Sequence, residues 1–193
     1  MKKHLGKRLF ITGIPTSGKS YLARKLASRT NGVFVELDDF RESLSKEEKY
    51  NKWTQFYLDQ NEEEYYTKTS PEEQWNNLVA QSEGLWPAFL EHIESYSNES
   101  RPVIFECVNM LPHIVKNAVD FPGVVLIGSS YEEVFERNMK DPRWGKTPYL
   151  QELEAKSFFY IERPRYKDEA EKYGYPVFES ADEAFEPVLK LLG

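Results

Sequence analysis

The chain has 193 residues, a formal net charge of −7 and a single cysteine, Cys107. This length predicts one α/β domain with a full core and is too short for two domains of ordinary size. The acidic charge disfavours a nucleic-acid partner, because phosphate backbones attract basic surfaces. One cysteine excludes a disulfide framework, so we expect Cys107 to fill the core of a protein in a reducing compartment.

The sequence contains no apolar stretch long enough to span a bilayer, which argues against a membrane partner. The N-terminal residues 1–5 are basic, but the short apolar stretch after them runs directly into a glycine-rich loop. This arrangement argues against a signal peptide. We therefore expect a cytoplasmic protein.

The glycine-rich loop at 13–20 is the most informative motif, because it matches G-x-x-x-x-G-K-[ST]. An apolar run at 9–11 predicts a strand before it, and the pattern at 21–27 predicts a helix after it. Such a loop turns its backbone N–H groups toward phosphate oxygens. We expect Lys19 to act catalytically at the β- and γ-phosphates and Ser20 to bind Mg²⁺. The residues predicted to bind the nucleoside triphosphate cofactor are Gly13, Ile14, Pro15, Thr16, Ser17, Gly18, Lys19, Ser20 and Tyr21.

Four further apolar runs predict strands at 33–37, 103–107, 124–127 and 175–178. Helical patterns separate these runs, which indicates a parallel sheet covered by helices on both faces. Asn31-Gly32 predicts the end of the first helix, with the glycine just past its last turn.

Residues from about 45 to 100 form an excursion without a convincing strand. Ser70, followed by Pro71 and Glu73, predicts the start of a long helix inside it. We interpret the excursion as a helical substrate-binding element within a single domain that spans 1–193. The alternative is a helical pair that only covers the edge of the sheet.

The sequence Asp38-Asp39-Phe40-Arg41 lies at the predicted carboxyl end of the second strand, where open parallel sheets bind ligands. A carboxylate there can accept a proton from a substrate hydroxyl. Because side chains alternate along a strand, we prefer Asp39 as the catalytic, substrate-binding residue and keep Asp38 as the second choice. Arg41 is predicted to bind an anionic group of the substrate. The alternative for this cluster is a helix start capped by Asp.

Glu106 ends the third predicted strand. A glutamate at this position can organise Mg²⁺ through water or contact the substrate, so we assign it to both the metal site and the substrate site.

A basic turn follows a predicted helix at about 131–140, and we interpret residues 137–150 as a lid. Arg137 and Arg143 are predicted to neutralise charge on the transferring phosphoryl group. The Gly- and Pro-containing segment 141–148 has few apolar anchors, so we expect it to be mobile without ligand. The alternative is a helix C-terminus whose basic residues suit its dipole.

In this order along the chain, these motifs resemble the small-molecule and nucleotide kinase branch of the P-loop fold. The loop and the Asp38-to-Arg41 sequence are similar to chloramphenicol phosphotransferase-like and zeta-toxin-like kinases. Residues 105–112 resemble the Glu-Gly-Val-His-Leu-Val-Pro stretch of 2-phosphoglycerate kinase-like proteins. Cys107 and Asn109 replace the Gly and His of that stretch, so its substrate is not carried over.

The resemblance implies a three-layer α/β/α fold with a five-stranded parallel sheet of order 2-3-1-4-5. It also implies ATP with Mg²⁺ and transfer of the γ-phosphate. We therefore interpret the chain as an ATP-dependent phosphotransferase that acts on a hydroxyl or phosphate of a small molecule. Two alternatives stay open: a nucleoside monophosphate kinase, and a nucleotide-binding regulatory ATPase or switch with a protein partner.

Overall fold

Five short strands form a fully parallel sheet in the computed structural model, which describes residues 7–192. Their order is β2-β3-β1-β4-β5, so the expected order 2-3-1-4-5 is confirmed. The segment 1–5, on which the argument against a signal peptide rests, lies outside the described residues. The strands are β1 (Arg8–Gly13), β2 (Val33–Glu36), β3 (Val103–Glu106), β4 (Gly123–Leu126) and β5 (Val177–Phe178).

Helices connect and cover these strands. None of those within residues 7–192 is both long and apolar enough to cross a membrane, and the cytoplasmic location stays a prediction. A 3₁₀ turn lies at Leu44–Lys46 and a π-helix at Ser157–Glu162. The α-helices are α1 (Lys19–Thr30), α2 (Leu37–Ser43), α3 (Glu48–Thr54), α4 (Glu62–Lys68), α5 (Pro71–Ser95), α6 (Pro112–Val115), α7 (Tyr131–Lys140), α8 (Pro148–Lys156), α9 (Arg163–Tyr173) and α10 (Ala181–Leu192).

The strands are apolar on both faces because each face is covered by helices. In β1, Leu9 and Ile11 point toward α1 and α10, whereas Phe10 points to the opposite face and packs with residues of α5. Helix α9 joins that second layer through a cluster that includes Tyr166 and Val125. Alternation along a strand thus supplies both layers of the core, and the three-layer α/β/α prediction is confirmed.

Helix α1 ends at Thr30, with Asn31 and Gly32 just past its last turn, as predicted. Asn31, not Gly32, takes the left-handed conformation, with φ 51°. Asparagine tolerates this region, so the glycine is required for another reason. A Cβ on Gly32 would lie 2.8 Å from the carbonyl oxygen of Pro102, which precedes β3. Gly32 therefore permits close approach of the chains that lead into β2 and β3.

Between 45 and 100 the described chain is helical and carries no strand, as predicted. The start of α5 is also as predicted, because the side chain of Ser70 accepts a hydrogen bond of 3.2 Å from the N–H of Glu73. Helix α3 is held against α5 by Trp53, whose ring covers Gly84 and whose carbonyl accepts from Gln81 at 2.9 Å. This contact positions the excursion beside the sheet.

We expect Gly84→Ala to destabilise the protein. Glycine to alanine inside a helix normally adds about 0.5–1 kcal/mol of stability. Here the new Cβ would lie 2.2 Å from Cε2 of Trp53. Overpacking of this kind should lower the free energy of unfolding by about 1–3 kcal/mol in urea denaturation.

The matched background is Trp53→Ala, in which the clash is absent. There the same Gly84→Ala change should raise the free energy of unfolding, because only the helix preference is left. An equal effect of Gly84→Ala in both backgrounds would contradict the Trp53–Gly84 contact.

Candidate active site

A cavity of about 1080 Å³ lies at the carboxyl ends of β1, β2 and β3. Single small-molecule sites usually occupy about 300–1,000 Å³, so there is room for more than one ligand. Of the predicted site residues, those that line the cavity are Pro15, Thr16, Gly18, Lys19, Ser20, Tyr21, Asp38, Asp39, Arg41, Glu106, Arg137 and Arg143. The predicted residues outside its lining are Gly13, Ile14 and Ser17.

These three residues support the conformation of the phosphate loop and do not line the cavity. The side chain of Ile14 is buried in the core, and its carbonyl accepts hydrogen bonds of 2.8 Å from Ser17 Oγ and from Lys19 Nζ. Gly13 has φ 127°, and Gly18, directly before α1, has φ 93°. Residues other than glycine rarely adopt such angles, so the two glycines set the curvature of the loop.

Lys19, Ser20 and Glu106 meet at the inner end of the cavity. Ser20 Oγ donates to Glu106 Oε2 at 2.8 Å, and Lys19 Nζ lies 3.8 Å from Glu106 Oε1. Burial lowers the pKa of Lys19 and raises the pKa of Glu106, and each charge partly offsets the effect on the other. The arrangement brings together one hydroxyl and one carboxylate, which are the oxygen ligands that Mg²⁺ prefers.

Asp38 and Asp39 lie in the first turn of α2, because β2 ends at Glu36. They follow the carboxyl end of β2, as expected, but the strand-alternation argument for Asp39 does not apply because both residues are helical. Asp38 is half-buried, with Oδ1 3.2 Å from Arg41 and 3.4 Å from the thiol of Cys107. Asp39 is exposed. The structure thus gives the deeper position to Asp38, the second choice from the sequence.

Arg41 is engaged within the protein through Nη1. Besides its ion pair with Asp38, it donates to Asn109 Oδ1 at 3.0 Å. Asn109 in turn donates to Gln81 and Ser82 of α5, at 3.1 and 2.9 Å. Arg41 therefore links α2, the loop after β3 and α5, and it fixes the orientation of Asp38.

The lid residues have two different placements. Arg137 donates to the carbonyl of Thr16 at 3.1 Å and pairs with Glu133, so its guanidinium lies against the phosphate loop. Arg143 is exposed in the segment 141–147 between α7 and α8. Its charge still reaches the cavity, because it contributes to lowering the pKa of Lys19.

The lid carries an aromatic anchor that the sequence did not reveal. The ring of Trp144 lies 5.8, 5.9 and 5.8 Å from the rings of Tyr57, Tyr65 and Tyr66. Beside it, Glu62 accepts a hydrogen bond from the backbone of Gly145. The expectation of few apolar anchors is wrong for this segment, because its one tryptophan packs against the excursion.

Among the other carboxylates that line the cavity, two desolvated ones were missed. Glu154 in α8 and Glu162 at the end of the π-helix lie four residues on either side of Phe158. Burial is the main cause that raises the pKa of each to about 7. Four-residue spacing on a helical face with Phe158 was the available signal. π-Helices are rare and frequently occur at functional sites.

We expect Trp144→Ala to loosen the lid. Losing the ring removes the contacts to three tyrosines, so hydrogen exchange of residues 144–147 should rise by about tenfold or more in the absence of nucleotide. The control is Tyr149→Ala, which removes an aromatic side chain that is 51% exposed from the adjoining start of α8. Equal exchange of 144–147 in Trp144→Ala and wild type would contradict the anchor.

No protein-family model and no curated protein matches the sequence. Among solved structures, the shikimate kinase from Acinetobacter baumannii, in complex with shikimate, is similar in fold with 14% identity and a TM-score of 0.57. That match covers 97% of this chain and 93% of the other. A candidate kinase from Chloroflexus aurantiacus is 14% identical over 97% of this chain and 99% of its own, with a TM-score of 0.52. The chain therefore has the fold of P-loop small-molecule kinases.

Proposed function

We propose that the protein is an ATP- and Mg²⁺-dependent phosphotransferase that moves the γ-phosphate of ATP to a hydroxyl of a small molecule. The observation that carries the proposal is a single cavity that joins Lys19 and Ser20 of the phosphate loop to the carboxylate of Asp38. The residues proposed to bind the nucleotide and the residue proposed to deprotonate the acceptor therefore line the same cavity. A phosphate acceptor would have to share Arg41 with Asp38.

The residues fit ATP from one end of the cavity to the other. The loop 13–20 offers backbone N–H groups and Lys19 to the phosphates. Ser180, Ala181 and Asp182, before and at the start of α10, line the cavity beside Gly18 and suit the adenine. Ser20 and Glu106 would hold Mg²⁺, which neutralises phosphate charge when it is bound.

Asp38 is suited to orient and deprotonate the acceptor. In the proposed step the acceptor oxygen bonds to the γ-phosphorus while the bond from that phosphorus to the β,γ-bridging oxygen breaks and ADP leaves. The hydroxyl proton passes to Asp38, whose carboxylate Arg41 holds in place at 3.2 Å. Asp39 is too exposed for a water-excluded proton transfer.

Arg137 and Arg143 would act on the phosphoryl group itself. Arg137 already lies at Thr16 of the phosphate loop, so it needs little movement to meet a phosphate oxygen. Arg143 belongs to the lid and can approach when the lid closes over ATP. Charges aimed at the developing transition state lower its energy more than that of bound ATP.

Two other functions are supported less well. A nucleoside monophosphate kinase needs free cations for the second phosphate group, and Arg41 is engaged. A regulatory switch needs only a loop that senses the γ-phosphate. The switch hypothesis leaves unexplained the additional cavity volume lined by the excursion.

Lys19→Met should lower phosphoryl transfer by about two to three orders of magnitude, because the charge that stabilises the transition state is lost. ADP release with a panel of hydroxyl-bearing acceptors measures this. Lys172→Met, an exposed change on α9, is the matched control and should behave as wild type. Turnover by Lys19→Met within about tenfold of wild type would contradict a catalytic phosphate loop.

Asp38→Asn should lower kcat by about a hundredfold while the Kd for ATP stays nearly constant, because the acceptor and not the nucleotide is its partner. Asp39→Asn is the matched control, with a change of about threefold at most. A larger loss of kcat in Asp39→Asn than in Asp38→Asn would assign the role of acceptor base to Asp39. Loss of ATP binding in Asp38→Asn would instead assign Asp38 to the metal site.

A further inference from the structure

We infer that the acceptor is a cationic hydroxy compound, that is, an amino alcohol or amino sugar whose protonated amine is bound by Glu162 and Glu154. The inference rests on the proposed function and names the chemistry of its acceptor. It concerns the acceptor compartment, which we define as the part of the cavity lined by the excursion, α8 and the π-helix. Its principal side chains are Tyr57, Tyr66, Trp144, Glu154 and Glu162.

Four of the carboxylates that line the cavity form two contrasting pairs. Glu106 and Asp38 have cationic neighbours within the protein, Lys19 at 3.8 Å and Arg41 at 3.2 Å. Glu154 and Glu162 form no ion pair with a described residue. The Oε2 atom of Glu162 is screened from solvent and has no hydrogen-bond partner within residues 7–192. A buried carboxylate without a partner is costly, so the missing cation is expected to come from a ligand.

The nearest cations do not fill this role once ATP is bound. Arg143 eases the ionisation of Glu154, and Lys19 eases that of Glu162. The proposed function assigns both cations to the phosphates of ATP. Behind Glu154, Glu62 adds another carboxylate, which is 8% exposed and whose Oε1 has no partner among the described residues. The compartment therefore becomes more negative toward the acceptor when the nucleotide binds.

The aromatic side chains of the acceptor compartment also favour a positively charged acceptor. Tyr57, Tyr65, Tyr66 and Trp144 line the cavity, and no lysine or arginine of the described chain lies over their rings. Aromatic faces attract ammonium groups and have no comparable attraction for carboxylates. Arg41 already pairs with Asp38 and Asn109 through Nη1, so an acidic acceptor would compete with Asp38 for its charge.

The test uses acceptors matched in skeleton and different in charge. The three sets are ethanolamine, ethylene glycol and glycolate; serinol, glycerol and glycerate; and glucosamine, glucose and gluconate. The kcat/KM of each is measured from ADP release with ATP and Mg²⁺, and its Kd is measured by calorimetry with a non-hydrolysable ATP analogue. In at least one set we expect the amine to exceed the neutral compound by about tenfold or more, the scale of one charge-assisted contact, and the acid to be the poorest.

Glu162→Gln keeps the shape of the side chain and removes its charge. It should reduce the ratio of kcat/KM for the amine to kcat/KM for the neutral member of the same set by about tenfold. Glu171→Gln, an exposed change on α9, is the matched control and should leave the preference unchanged. An equal amine preference in wild type and Glu162→Gln, or no amine preference in either assay, would overturn the inference.

The two proposals fail in different ways. Phosphorylation of an acidic or neutral acceptor in preference to its amine would overturn the cationic acceptor and leave the phosphotransferase intact. Amine binding that depends on Glu162, without ATP-dependent phosphorylation of any bound amine, would support the compartment and overturn the phosphotransferase.

Discussion

Lys19 brings its ammonium group into a position where only 5% of the residue is exposed, and the centre of the molecule is arranged to tolerate that charge. The carbonyl of Ile14 and the carboxylate of Glu106 surround it, one from the loop after β1 and the other from the end of β3. An unpaired buried charge would destabilise the fold by several kcal/mol (about 3–5 when one partner of a buried pair is removed). Glu106 can reach Lys19 only because β3 lies next to β1 in the sheet. The order of the strands therefore also determines how the charge of Lys19 in the phosphate loop is paired.

Around this centre, the cavity is closed by elements that are distant in sequence. The excursion supplies Tyr57, Tyr65 and Tyr66, and the lid supplies Trp144, which packs against all three. The backbone of Gly145 is held by Glu62, and a Cβ on Gly145 would lie 2.1 Å from that carboxylate. The packing of Trp144 holds the lid, together with hydrogen bonds of Gly145 to Glu62 and, at 3.2 Å, to Gln151. A bound ligand can shift the lid only by as much as it favours one arrangement of these contacts over another.

The charges of the cavity follow one order from the sheet outward. Close to the strands Glu106 is paired with Lys19 and Asp38 with Arg41, and burial raises the pKa of Glu106 while Lys19 counteracts it. Farther out, Glu154 and Glu162 are desolvated and lack such partners, which raises the pKa of each to about 7. Retention of groups that burial disfavours is typical of functional sites, where stability is given up for binding or catalysis.

The sequence alone determined the features that local interactions control. The pattern at 13–20 predicts its strand, loop and helix because glycine conformation, apolar burial and helix capping all act within a few residues. The Ser70 cap and the apolar runs of the strands were readable for the same reason. Glu106 was also predictable, because it ends an apolar run.

Tertiary structure decided which side chains face the cavity and what their charges meet. Asp38 lies deeper than Asp39 because β2 stops pairing at Glu36, opposite Glu106, and α2 begins one residue later. Trp144 is an anchor only because three tyrosines from about 80 residues earlier surround it. Glu154 and Glu162 look like ordinary helical glutamates in the sequence, and packing of α8 and the π-helix beside the excursion buries them. Burial and charge pairing depend on distant partners, and the order of residues along the chain does not specify those partners.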